Sequence, residues 1–455
     1  MNNELIYQKK NFYEVFGKTE KKAAHEYAVG YTEFLDKAKT EREAVSSAID
    51  MAQKNGFVPY SFGMALKAGG KDYFNNRGKN LFLFTIGSES LENGFRISAA
   101  HIDSPRLDLK PCPLYEEGGM GFLKTHYYGG IRKYQWVTVP LALHGVVVKA
   151  DGSSVNITIG EDAEDPIFYV NDLLPHLAHD DEKKPLGDAI PAEKLNILVG
   201  SEPLGEGDAP IKQHILTILN EKYGIKEEDF LSAEISAVPA DKARDIGFDR
   251  SLIGAYGHDD RVCAYPALTA LFDSADSAHS LMCVLADKEE TGSDGNTGMQ
   301  ADLICDLIHE ISLALDVNPT VVRYHSKCLS ADVSACFDPN FPEVFEKRNA
   351  SLLSSGVVMT KYTGARGKSS TNDASAEYIG WLRGIMAKDN ILWQSAELGK
   401  TDCGGGGTVA KYIAKHNIET IDLGVPVISM HAPYEAVAKV DVYETYRAFC
   451  AFCKN

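Results

Sequence analysis

LMCVLADKEETGS, residues 281–293, joins an unbroken apolar run to two adjacent glutamates, Glu289 and Glu290. Leu281–Leu285 reads as a buried strand, and the carboxylates arrive where the chain leaves the core. In an open α/β sheet, ligands gather in the crevice outside the carboxyl ends of the strands. The reading therefore turns on whether other polar side chains reach the same edge.

Four further stretches end in the same way. ISAAHIDSP places His101 and Asp103 at the end of a strand over residues 95–100. GAYGHDDRV places Asp259 and Asp260 in a turn before a helix. LSADVSACFDPN places Asp332 after Ser330-Ala331, and VISMHAP places His431 just after Val427-Ile428. Taken singly, each has a plain explanation: a hydrogen-bonded histidine, or an N-capping acid favoured by the helix dipole. Together they deliver two histidines and several carboxylates from five separated segments.

The segments around them alternate. Thr40 and Glu43 have the spacing of a capping box, predicting a helix that stops near Asn55-Gly56. From about residue 247 strand, loop and helix repeat: a helix over 299–315, a strand at 320–323, a helix over 374–386, a short helix opening at 407–410 and strand character over 420–428. Such alternation indicates an α/β sheet with helices on its faces. Residues 107–246 differ, with frequent Pro and Gly, and two strands (143–148 and 155–159) flanking Asp151-Gly152 as a hairpin. The expectation is a mixed-sheet α/β catalytic domain, residues 1–106 and 247–455, interrupted by a β-rich insertion, 107–246.

Composition bounds the rest. A length of 455 residues favours two domains. A net charge of −18 argues against a nucleic-acid partner. No run approaches the roughly 20 apolar residues of a membrane span, and MNNELIYQKKNFYEVFGK has no apolar signal region, so a cytoplasmic location is expected. Nine cysteines, an odd number, do not suggest a disulfide framework. Cys450 and Cys453 read as core or surface thiols on a C-terminal helix. His176-x-x-His179 has no third ligand beside it, and the glycine run 404–407 lacks the lysine and spacing of a phosphate loop.

Imidazole mixed with carboxylate suits zinc, with cobalt or manganese as substitutes. A pair of such ions about 3.5–4 Å apart needs a bridging carboxylate, and a further carboxylate can take a proton from water. Adjacent Glu289 and Glu290 would divide these tasks by pointing to opposite sides of an extended segment. Asp103, two residues from His101, would fix the imidazole by accepting its other N–H.

The ordered motifs HIDSP, HDDR, KEETGS, SADVSACFDPN and ISMHAPYE, spread from residue 101 to 435, resemble the aspartyl aminopeptidase family of di-zinc metallo-aminopeptidases. The resemblance implies that His101 and Asp332 bind one zinc, Glu290 and His431 the other, and that Asp259 bridges. It makes Glu289 the general base and Asp103 the partner of His101. It also implies peptide substrates with an acidic first residue, Lys361 as the matching cation with Arg366 and Lys368 nearby, and a cytosolic homo-oligomer. That oligomer is commonly a dodecamer whose insertion mediates dimer contacts. YGGIRKYQWVTVPLALHG, residues 128–145, departs from the stretch found in aspartyl-specific members, so a neutral-residue preference stays open. A metal-dependent deacylase or dipeptidase on the same fold, and a non-enzymatic scaffold, are the other readings.

Overall fold

The computed structural model describes residues 5–455. They form two compact units. The first takes the described residues up to Asp103 together with Ala243–Met430 and Glu435–Asn455; the second takes Ser104–Lys242 and His431–Tyr434. The chain thus changes unit a few residues before the expected breaks at 106/107 and 246/247. Pairing explains the later change: Arg244–Ile246 forms an antiparallel ladder with Leu252–Ala255, which belongs to the first unit.

The first unit is built on a nine-stranded mixed sheet. At its centre Ser280–Ala286, Phe95–His101, Lys327–Ser330 and Glu419–Gly424 lie side by side and parallel. The run that opened the sequence reading alternates between two cores. Leu281, Cys283 and Leu285 pack on one face with Val262, Leu268 and Phe449, whereas Met282, Val284 and Ala286 pack on the other with Ile304, Leu307 and Ile311. Side chains on a strand point alternately to opposite faces, so a strand covered on both must be apolar throughout. Fully burying each Leu or Val contributes roughly 1.5–3 kcal/mol.

Helices cover both faces. The helix Glu41–Lys54 starts at the predicted capping box, with Thr40 Oγ1 accepting from the backbone of Glu43. Ala376–Lys388 and the C-terminal Lys439–Lys454 follow the expected pattern, and the nine cysteines are free thiols. Thr320–Arg323, expected as a strand, instead lies inside the helix Pro319–His325. Asn318 caps it, its side chain accepting from Thr320, and Pro319 occupies the first turn, where its missing N–H costs nothing. That pair outweighs the β-branched residues after it, and the strand comes at Lys327–Ser330.

A five-stranded sheet in the first unit carries Pro426–Ile428 between Ser334–Ala335 and Glu435–Ala438. The apolar stretch 420–428 is therefore two strands in two sheets, divided at Val425.

The second unit holds a seven-stranded sheet, antiparallel throughout. Leu141–Val148 and Ser154–Ile159 form the predicted hairpin. The helix Pro210–Tyr223 belongs to this unit and ends at Gly224, whose φ of 65° suits a left-handed cap. Among the described residues, no helix of either unit is long and apolar enough to cross a membrane.

Candidate metal centre

Parallel pairing brings the ends of the central strands to one edge. His101, the last residue of its strand, is opposite Ala286, so the chain that continues into Glu289 starts beside it. Asp332 follows the next strand, whose Ser330 is opposite Ala99.

His101 is 1% exposed, so each ring nitrogen needs a partner. Nε2 stands 3.1 Å from Oδ1 of Asp259 and 3.9 Å from Oδ1 of Asp332. Nδ1 faces Asp103, 3.0 Å from its backbone oxygen and 3.3 Å from Oδ1. This division leaves Nε2 directed at the carboxylates, with the ring held from behind, the usual arrangement for an imidazole that meets a metal.

Asp103 has a second task. Its two carboxylate oxygens accept the backbone N–H of Glu289 at 3.1 Å and of Glu290 at 3.2 Å. Glu289–Thr291 is a single 3-10 turn, with Lys288 at φ 68° and Ser293 at φ 60° on either side of it. The expected extended segment is therefore corrected: the two glutamates sit in one tight turn, and a carboxylate oxygen of each comes within 4.8 Å of the other and of His101. Non-glycine residues in left-handed conformation cost of order 1–3 kcal/mol and persist where the surroundings hold them. Here the carboxylate of Asp103 does so.

Asp259 lies in the first turn of His258–Asp273 but at ψ 105°, outside helical geometry, and its peptide bond to Asp260 is cis. Its N–H donates to Oε2 of Glu435 at 3.1 Å, and Glu435 is 2% exposed. Glu435 was missed as a site residue; its signal was a charge inside the buried run that follows His431. The neighbouring His258 is structural. Its Nδ1 is 2.7 Å from the Tyr31 hydroxyl and its Nε2 3.2 Å from the Ile253 carbonyl oxygen, and burial pushes its pKa down to about 3.

Ligand atoms of His101, Asp259 and Asp332 all lie within 4.8 Å of one another, as do those of His101, Glu289 and Glu290. Burial, followed by the charge of Glu289, holds the Asp332 carboxyl well above its ordinary range. Burial does the same to Asp260. Burial works against a proton on His101, but hydrogen bonds to Asp103 and Asp259 outweigh it, so the imidazole is held well above its usual value. Several acids crowd one imidazole out of water, and this donor set of one nitrogen with carboxylate oxygens fits zinc.

The remaining sequence candidates lie as follows. His431 comes directly after Met430, at φ 66°, with Nδ1 2.7 Å from the Gly130 carbonyl oxygen. Lys361 is not brought into the cluster. Its strand, Val357–Thr360, runs antiparallel to Glu419–Gly424 with Thr360 opposite Asp422, so Lys361 continues away from the carboxyl edge. There its ammonium pairs with Asp373 at 2.7 Å and donates to the Ala374 carbonyl at 2.6 Å. Lys368 shares the same Asp373 at 3.0 Å. His176 and His179 are exposed and belong to no metal-binding group among the described residues. Asp422 was also missed. It is 4% exposed at the next strand end, and burial raises its carboxyl to about 7, with the charge of Glu289 contributing.

Residues 34–453 match the family described as aminopeptidase I zinc metalloprotease (M18). The chain belongs to the M18 family. That family takes in the aspartyl aminopeptidases the motifs resemble. A probable M18 family aminopeptidase 1 from Clostridium acetobutylicum is 49% identical over 465 aligned positions, which cover 100% of each chain. The crystal structure of the M18 aminopeptidase from Thermotoga maritima is 42% identical with a TM-score of 0.93, covering 99% of this chain and 100% of that one. The Saccharomyces cerevisiae mApe1 dodecamer, at 21% identity and a TM-score of 0.78 over 96% of this chain and 97% of its own, shares the fold. This M18 chain is a zinc metallo-aminopeptidase, a hydrolase of peptide bonds.

Proposed function

We propose that the enzyme works with two zinc ions, releasing the N-terminal residue of peptides. The observation that carries this reading is the meeting of His101, Asp259 and Asp332 within 4.8 Å, beside a Glu289–Glu290 turn held by Asp103. His101 and Asp332 would hold one ion, Glu290 and His431 the other, and Asp259 would serve both. Bound zinc supplies Lewis acidity and brings the pKa of a bound water towards about 7; cobalt or manganese would substitute.

The residues of the chain do the rest. Glu289 accepts the proton of the attacking water and returns it to the leaving amine. Asp103 positions both His101 and the backbone of Glu289, so base and ligand move together. Glu290 is the carboxylate of the pair that serves the metal side. The substrate's α-amine would lie among the carboxylates, which restricts cleavage to chain ends.

The resemblance gives acidic first residues as the favoured substrates, with Lys361 as their cation. A neutral-residue preference is the second reading, and the pairing of Lys361 with Asp373 favours it. The 21%-identical yeast dodecamer supports a homo-oligomer; the insertion as its dimer contact and a cytoplasmic location are what the resemblance implies.

The test is hydrolysis of Asp-, Glu-, Leu-, Met- and Ala-chromophore substrates by chelated protein before and after zinc, with metal content measured per chain. Two zinc per chain and restored cleavage are expected. One zinc at full activity would remove the two-ion reading, and restored cleavage of neutral residues alone would remove the acidic one.

A further inference from the structure

The antiparallel sheet of the second unit turns an aliphatic face towards the helix Pro210–Tyr223, which touches it where Ile211 and Ile215 meet Gly121 and leaves a space beside that contact. Leu143, Ile157 and Ile235 stand on the sheet side, and Ile215 and Leu219 on the helix side, of a cavity of about 730 Å³. Protein interiors pack with few voids larger than a water molecule, so this space is not ordinary core. It falls within the roughly 300–1,000 Å³ of small-molecule sites, which are mainly apolar with a few placed polar groups.

The charge here is at one place. Among the described residues lining the cavity, Lys222 is the one with a charged side chain. Its side chain is 55% exposed, with Nζ 5.3 Å from the centre of the Tyr223 ring and 3.9 Å from Asp165. Ile167 and Ile218 line the same cavity yet are 59% and 50% exposed, so the space opens to solvent at an apolar rim. In a chain of net charge −18, an aliphatic cavity whose lining carries a lone cation is matched to an aliphatic anion. An ammonium has three donors, and Asp165 at 3.9 Å leaves room for a second acceptor.

We propose that this cavity binds a single-chain long aliphatic carboxylate, a fatty acid, with its tail against the isoleucines and leucines and its carboxylate at Lys222. A phospholipid matches less well, because it brings a second chain and a phosphate to one lysine. The site is separate from the peptidase reading and does not depend on it.

The test uses full-length, zinc-loaded protein, a fluorescent polyene fatty acid as probe, and displacement by saturated acids of 8 to 16 carbons. One saturable site per chain is expected, with affinity rising about four-fold for each added methylene until the cavity is full. The alcohol of matched length should bind at least about ten-fold more weakly than the acid, and Lys222→Gln should abolish that difference while leaving the alcohol unchanged. Ile157→Trp and, independently, Leu219→Trp fill the cavity and should lose the probe, with retained zinc content and melting temperature showing that the fold survives. Absence of saturable binding in the parent protein overturns the proposal, as does undiminished binding in both tryptophan variants. An acid–alcohol gap that survives Lys222→Gln overturns the assignment of the head group. Binding seen only in dissociated protein, with the 210–223 helix protected from hydrogen exchange on self-association, gives the cavity to a second copy and also overturns it.

Discussion

Two groups of carboxylates are buried in the first unit, and they are answered differently. At the C-terminal helix, Asp441 accepts the N–H groups of Ser354 at 2.7 Å and Gly356 at 2.8 Å. Glu444 accepts that of Leu392 at 2.7 Å and pairs with Arg447, also at 2.7 Å. Both acids are 0% exposed. At the sheet edge, Asp259, Asp332 and Glu289 crowd one another around His101. A buried charge is tolerated when hydrogen-bonded or paired. The first group meets that condition with backbone and arginine, and its work is to tie loops to a helix. The second converges on a common point with a single imidazole, the condition a cation satisfies. Burial alone does not mark a site; what the oxygens face does.

The contrast can be broken by substitution. Glu289→Gln should lower kcat by about 10²–10⁴-fold, the usual contribution of a general base, with zinc content unchanged by elemental analysis. Normal turnover in that variant would end the assignment. Asp103→Asn should cost about 10–100-fold in zinc affinity or activity, because it loosens His101 and replaces one acceptor beneath the Glu289–Glu290 turn. Competition with a chelator would measure it. Asp441→Asn should behave in the opposite manner, losing about 1–3 kcal/mol of stability through the unmatched N–H and keeping kcat per folded molecule in denaturant and rate measurements.

The smallest effect is a slope. Burial pushes the Asp441 carboxyl up to about 8, against the pull of its two backbone donors. A raised folded-state value means the native state binds the proton more tightly than the unfolded chain, whose aspartate titrates near about 3.9. Its contribution is therefore fully present below about pH 4 and is lost as pH rises towards 8. The melting temperature of the parent protein, relative to Asp441→Asn, should fall across that window. A flat difference would show that Asp441 is ionised throughout.

Much of this was legible in the chain. An apolar run that ends in His, Asp or Glu announces both a central strand and its carboxyl edge, which is why His101, Glu289, Glu290 and Asp332 could be named. What was hidden depended on neighbours distant in sequence. The turn at Glu289 needs Asp103 beneath it, and nothing in KEETGS states that its backbone is held from 186 residues away. Glu435 acts through the N–H of Asp259, a bond across 176 residues. Thr320–Arg323 was misread because composition favoured a strand where the local cap, Asn318-Pro319, fixed a helix. The partner of Lys361 was hidden too, since nothing in the sequence around it states that its ammonium pairs with Asp373, twelve residues on.

The grip of Asp103 has one more consequence. It joins the ends of two parallel neighbours, Phe95–His101 and Ser280–Ala286, whose side chains feed two different cores. If one strand slipped by a single residue, its large and small side chains would exchange faces, and Asp103 would no longer reach the turn. Misfolded chains of this kind fail in packing and chemistry at once. The surviving population is thereby proofread: a molecule stable enough to last in the cell already has its ligands and its base in register.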